Sequence, residues 1–200
     1  MRSAQLLGRG LLLLAAVALA GCGVLDPFHT TFDEEEPAEA YEARKLQPVE
    51  PPGPSIRVAT YNIKFGGARV EFYWECPGER VNLTEREVEA QLGEVAEAIE
   101  RVGADVIILQ EVDVNAKRVA YVDQVQWLLD QTDYNYGVYA SQWKSDYVPS
   151  DGTGRTNSGN VILSKWPIED ARRIALPLIE KQGGLTRYFW LRRNILEARV

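Results

Sequence analysis

Histidine occurs once in the 200-residue chain, as His29. It falls in an acidic, proline-rich stretch, where an exposed linker residue is the expectation rather than a metal ligand. Cysteine occurs twice, at Cys22 and Cys76, so there is no CxxC pair and no disulfide framework. No Walker-type glycine loop, no GxSxG elbow and no internal repeat can be found, which removes the commonest nucleotide-binding, serine-hydrolase and solenoid readings. Positive charge is also in short supply: 22 basic residues face 29 acidic ones, a formal charge of −7. Such a surface repels polyphosphates.

What is present begins with a short apolar run. Arg2 and Arg9 precede Leu11 to Ala20, a stretch too short to span a bilayer that leads into small residues and then a cysteine, so residues 1–21 read as a cleaved export signal. The segment Leu19-Ala20-Gly21-Cys22 resembles the bacterial lipobox, which implies acylation of Cys22; an ordinary Ala18-Leu19-Ala20 cleavage site is the alternative. Removing the signal leaves 20 basic against 29 acidic residues, a formal −9 in place of −7. Residues 22–55 hold six of the ten prolines and the run Asp33-Glu34-Glu35-Glu36, the composition of an extended, self-repelling tether. The folded domain is then expected over 56–200.

Within it, "SIRVATYN" predicts a strand from Ile56 to Tyr61 with Asn62 at its end, and Thr84-x-x-Glu87 opens a helix with apolar residues at Val88, Leu92, Val95, Ile99 and Val102, stopped by Gly103. "DVIILQEVD" is a buried strand from Asp105 to Gln110 that closes on Glu111. Strand, helix and strand make a crossover unit with parallel strands, and Asn62 and Glu111 then meet at the C-terminal edge where open α/β sheets bind ligands. A carboxylate beside an amide oxygen suits Mg²⁺. Farther on, Tyr121 to Leu129 reads as a helix, 134–140 as a strand, 145–157 as a turn-rich loop, Asn160 to Leu163 as a buried strand, and 188–200 as a last strand.

The ordered set "RVATYNIKFGG", "ADVIILQEVD" and "SGNVILSKWPI" resembles the N-terminal half of the endonuclease/exonuclease/phosphatase superfamily, which includes deoxyribonucleases and neutral sphingomyelinases. The resemblance implies an α/β fold, the N-terminal half of a four-layer α/β-sandwich with mixed sheets. It implies that Glu111 holds a divalent cation, Mg²⁺ or Mn²⁺, with Asn62 beside it. Gly159 and Asn160 match a structural strand motif, and Arg118 and Asp123 resemble polar positions that follow the metal carboxylate. The family's His-containing strand, Gly-Asp-x-Asn motif and terminal Asp-His pair are not among these residues, so the catalytic residues are expected beyond Val200. Strands such as Val106 to Leu109 and Val161 to Leu163 are accordingly expected to have a partly uncovered inner face. The function implied is an exported, membrane-anchored, Mg²⁺-dependent phosphoester hydrolase, a phosphodiesterase or phosphatase acting on lipid head groups or small phosphoesters, expected to be catalytically incomplete over these 200 residues. A non-catalytic surface lipoprotein and a secreted nuclease are the alternatives, the acidic surface weighing against nucleic acid.

Overall fold

A computed structural model describes residues 26–200; the export signal and Cys22 lie outside them. The expected crossover unit is present. Strand β3 (Val58–Asn62) runs parallel to β4 (Val106–Asp113), with Asn62 level with Gln110. Between them lies helix α1 (Glu85–Val102). Its start is fixed by a reciprocal pair of hydrogen bonds, since the Thr84 hydroxyl accepts from the Glu87 backbone N–H and the Glu87 carboxylate accepts from the Thr84 N–H. Gly103 ends it in a left-handed conformation, φ 61°. One face of α1, carrying Val88, Leu92, Val95 and Ile99, is buried.

Helix α2 (Gln124–Gln131) follows, capped by Asp123, whose carboxylate accepts from the Val125 and Gln126 N–H groups. Strands β5 (Tyr136–Val148) and β6 (Gly154–Ser164) then form one long antiparallel hairpin. The segment expected to be an aperiodic loop, 145–157, is mostly the end of this hairpin; only a 3-10 turn at Ser150–Gly152 interrupts it. Two more strands, β7 (Glu169–Ala175) and β8 (Asn194–Arg199), pair with each other. The expected single strand over 188–200 is shorter because a helical turn, α3 (Gly184–Phe189), precedes it.

Residues 26–55 do not form a free tether. Strand β1 (Glu35–Pro37) pairs with β7, and strand β2 (Glu39–Glu42) pairs with β5, so the chain passes from one sheet to the other within eight residues. The acidic run is matched by distant cations: Arg172 pairs with Glu35 at 2.6 Å and Glu197 at 3.2 Å. Arg173 is fully buried, donates to the carbonyls of Ser141, Asp33 and Arg192, and lies 4.0 Å from the Phe32 ring centroid. The domain therefore takes in residues before 56 as well, among them β1 and β2.

The result is a mixed α/β sandwich of two sheets and flanking helices. The five-stranded sheet has the order β2-β5-β6-β4-β3 and the second sheet the order β1-β7-β8. The main core lies between the five-stranded sheet and the helices, around Leu92, Ile107, Leu109, Leu128 and Leu163. On the other face Val106, Val138 and Ile162 pack against Ala171, Leu196 and Ala198 of the three-stranded sheet. The inner face expected to be partly open is covered over β4 and β6, where Val106 and Ile162 are 7% and 9% exposed, but stays open at β3, where Val58, level with Val106, is 58% exposed.

Gly159 is required by close approach. A Cβ there would lie 2.2 Å from the Ala140 carbonyl oxygen and 2.8 Å from the Tyr139 ring. Gly159→Ala should force β5 and β6 apart and cost about 1–3 kcal/mol, the usual penalty of overpacking, measurable by urea unfolding. Unchanged stability would show that the hairpin is looser than this contact implies.

Candidate active site

The end of β4 departs from regular pairing. Leu109 faces Val161 and Val112 faces Gly159, so Gln110 and Glu111 together oppose one residue of β6. This is a bulge, and it places Glu111 at φ 55°. A non-glycine residue held in the left-handed region costs about 1–3 kcal/mol, a strain that concentrates at functional sites. The bulge separates the roles of two neighbours. Gln110 stitches the parallel pair, its amide donating to Thr60 Oγ1 at 2.8 Å and its carbonyl accepting from Ile63 N. Glu111 is turned out at the strand edge.

Asn62 holds it there. The Asn62 amide nitrogen donates to Glu111 Oε1 at 3.0 Å, and its oxygen accepts from the Lys64 backbone N–H at 2.9 Å. A backbone N–H can only be answered by the oxygen, which fixes the nitrogen toward Glu111. The chain turns sharply after Asn62 through Lys64, Phe65 and Gly66, all at positive φ, and Lys64 is tied to Glu75 at 2.8 Å. The two residues predicted as metal-binding therefore meet, and in this arrangement Asn62 orients the Glu111 carboxylate.

The donor set fits Mg²⁺ or Mn²⁺. One carboxylate, hard oxygen throughout, is what a cation that keeps most of its water and takes substrate phosphate requires. It does not fit an all-protein cage: among the described residues no group of three or more His, Cys, Asp or Glu side chains could hold a metal.

Beneath the edge lies a buried polar network that sequence reading missed in part. Arg118, read there as a polar position, makes a two-pronged pair with Asp113, Nε to Oδ2 at 2.6 Å and Nη2 to Oδ1 at 2.8 Å, and also donates to Ser158 Oγ at 3.2 Å. Its guanidinium lies 3.7 Å from the Phe65 ring centroid. Gln124, fully buried, accepts from Asp113 N at 2.9 Å and donates to Phe65 O at 2.7 Å. One amide thus joins β4, α2 and the loop after β3. The signal for Gln124 was available, since it is a polar residue beside an N-cap on the apolar side of a helix. Asp113 and Ser158 carried none.

The remaining expected positions are supports. Asp123 caps α2, and Asn160 Nδ2 donates to Asn194 Oδ1 at 3.3 Å, linking the two sheets. Burial, and behind it the Asp113 carboxylate, pushes the Tyr139 phenol well above its ordinary value. Tyr139 therefore stays a neutral donor, to Asn157 Oδ1 at 2.9 Å.

The sequence pattern of the Endonuclease/Exonuclease/phosphatase family matches residues 59–199, the stretch that contains every one of these residues. Among solved structures the chain is similar to an endonuclease/exonuclease/phosphatase from Beutenbergia cavernae, with 20% identity and a TM-score of 0.45. The match covers 72% of this chain and 33% of that one, so this chain spans about a third of that protein's length. No curated protein matches it.

Proposed function

The chain belongs to the endonuclease/exonuclease/phosphatase family of phosphoesterase- and nuclease-type hydrolases, and from that premise we propose that it is an exported, membrane-anchored, Mg²⁺-dependent phosphoester hydrolase. The observation that carries the reading is Glu111, held at φ 55° in a bulge and fixed by Asn62 at the C-terminal edge of a parallel strand pair. Maintaining a strained carboxylate at that edge serves no packing purpose, since Glu111 is not fully buried.

A bound Mg²⁺ or Mn²⁺ supplies Lewis-acid polarisation of the scissile phosphoryl oxygen. Glu111 would hold it, with Asn62 keeping the carboxylate aimed outward. Arg118, Asp113 and Gln124 act one layer below, making the edge rigid, because positioning within about 0.5 Å is what such a site needs. No described residue is assigned as the base that activates water. The membrane anchor rests on the sequence around Cys22, and the acidic balance of the chain favours small phosphoesters or lipid head groups over polymeric nucleic acid.

The test is hydrolysis of chromogenic phosphate mono- and diesters by the full-length protein. Turnover should vanish on chelation with EDTA and return on adding Mg²⁺ or Mn²⁺. Metal-independent turnover would sink the proposal, and no turnover on either ester class would favour a non-catalytic binding protein.

A further inference from the structure

The connection from β7 to β8, residues 176–193, presents apolar side chains that no element among the described residues covers. Leu185 is 80% exposed, Ile179 54% and Trp190 42%. Interleaved with them are the exposed cations Lys181, Arg187 and Arg193. The segment holds four basic residues and one acid, Glu180, in a chain whose overall charge is −7. It is also firmly seated: Trp143 Nε1 donates to Phe189 O at 2.7 Å, and the Arg192 guanidinium closes the end of α3 on the Arg187 and Tyr188 carbonyls.

A second, independent observation says what covers this face. The start of the described chain is pinned to it. Tyr188 Oη donates to Asp26 Oδ1 at 2.6 Å, and the Phe28 ring lies 5.7 Å from that of Phe189 and 6.4 Å from that of Tyr188. Cys22 precedes Asp26 by four residues, which reach at most about 14 Å even when fully extended. A lipid on Cys22 would therefore enter the bilayer beside α3, with no long tether to let the domain swing away.

We propose that residues 176–193 are a membrane-docking face, seated on the leaflet that carries the Cys22 anchor; this rests on the lipid-anchored reading above. Leu185 and Ile179 enter the acyl boundary, Trp190 sits at the head-group level, and Lys181, Arg187 and Arg193 meet lipid phosphates. The sheet register then gives the substrate class. Trp143, which holds α3, is level with Ser158, and Ser158 is level with Asp113, two residues beyond Glu111. Two strand spacings, about 10 Å, separate them. The docked leaflet lies alongside the Glu111 edge, so the phosphoester within reach is that of a lipid head group in the same membrane.

The experiment uses full-length protein with Cys76→Ser, purified from membranes and reconstituted into phosphatidylcholine/phosphatidylglycerol vesicles. An environment-sensitive NBD label is placed at Leu185→Cys or, as control, at Val102→Cys at the opposite end of the sheet. Flotation with the vesicles reads the anchor, and the label reads the face. The expected result is that the protein floats, that the label at 185 shifts to the blue and is quenched by brominated lipid, and that the label at 102 does neither. Changing Lys181, Arg187 and Arg193 together to Glu should abolish the shift while flotation persists. A floating protein whose label at 185 stays in water overturns the docking face and leaves the anchor standing. Failure to float overturns the anchor, and the docking face with it.

Discussion

Arg118→Met should lower stability by about 3–5 kcal/mol, the usual cost of leaving one member of a buried ion pair without its partner. Asp113 is fully buried and Arg118 is 7% exposed, so neither can turn to water when the other is removed. For a domain of this size the loss corresponds to a drop in Tm on the order of 10 °C. The two charges answer each other, so adding Asp113→Asn to Arg118→Met should recover part of the loss, and the coupling in that double-mutant cycle is the sharper measurement. The effect should also reach the site. Arg118 lies against the Phe65 ring, the Phe65 carbonyl is held by Gln124, and Gln124 holds the Asp113 N–H. Loosening that chain frees the turn that begins at Lys64, whose N–H fixes Asn62. A loss below 1 kcal/mol in urea unfolding, with no coupling, would mean that water reaches the pair and that the network is not what stiffens the edge.

How much of this could be seen in the sequence depended on whether the cause was local. Thr84 and Glu87 are three residues apart, and the α1 face repeats every three or four residues, so the helix and its cap were legible, as were the strands on either side. Glu111 stood out because a carboxylate closing four aliphatic residues contradicts its surroundings. The N-terminal strands were hidden for the opposite reason. Asp33 to Glu36 and six prolines describe a tether in any local window, but β1 and β2 lie at sheet edges, where Pro37 and exposed carboxylates are tolerated. The partners of the acidic run, Arg172 and Arg173, stand about 140 residues away. The β5–β6 extension was lost to its own turn residues, since Pro149, Asp151, Gly152 and Gly154 occupy its tip and look like a loop. Aromatic Tyr188, Phe189 and Trp190 suggested a strand, but Arg192 and Trp143 bind the carbonyls of a helical turn there. In the site, Asn62 and Glu111 were legible as strand ends. Asp113, Gln124 and Ser158 converge only in three dimensions.

Glu111→Gln should separate function from stability in a way that Arg118→Met cannot. The amide keeps the shape of the side chain but removes the charge that would hold the cation, so Mg²⁺-dependent turnover should fall on the order of 100-fold or more, the scale of losing one main electrostatic contributor to the transition state. Direct Mn²⁺ binding, read by water-proton relaxation, should be lost with it. Asn62→Ala should act in the same direction but less, because Asn62 reaches the site through Glu111. Stability should hardly move in Glu111→Gln, because among the described residues the carboxylate makes only the one hydrogen bond, to Asn62, near the surface. Glu111→Gly goes further: at φ 55° glycine is unstrained where glutamate is not, so this variant should unfold at an equal or higher urea concentration while being equally inactive. A protein that becomes no less stable on losing its strained residue is one in which the strain serves the chemistry. Wild-type turnover in Glu111→Gln would remove Glu111 from the site, and a marked loss of stability in Glu111→Gly would show that the bulge exists for the fold instead.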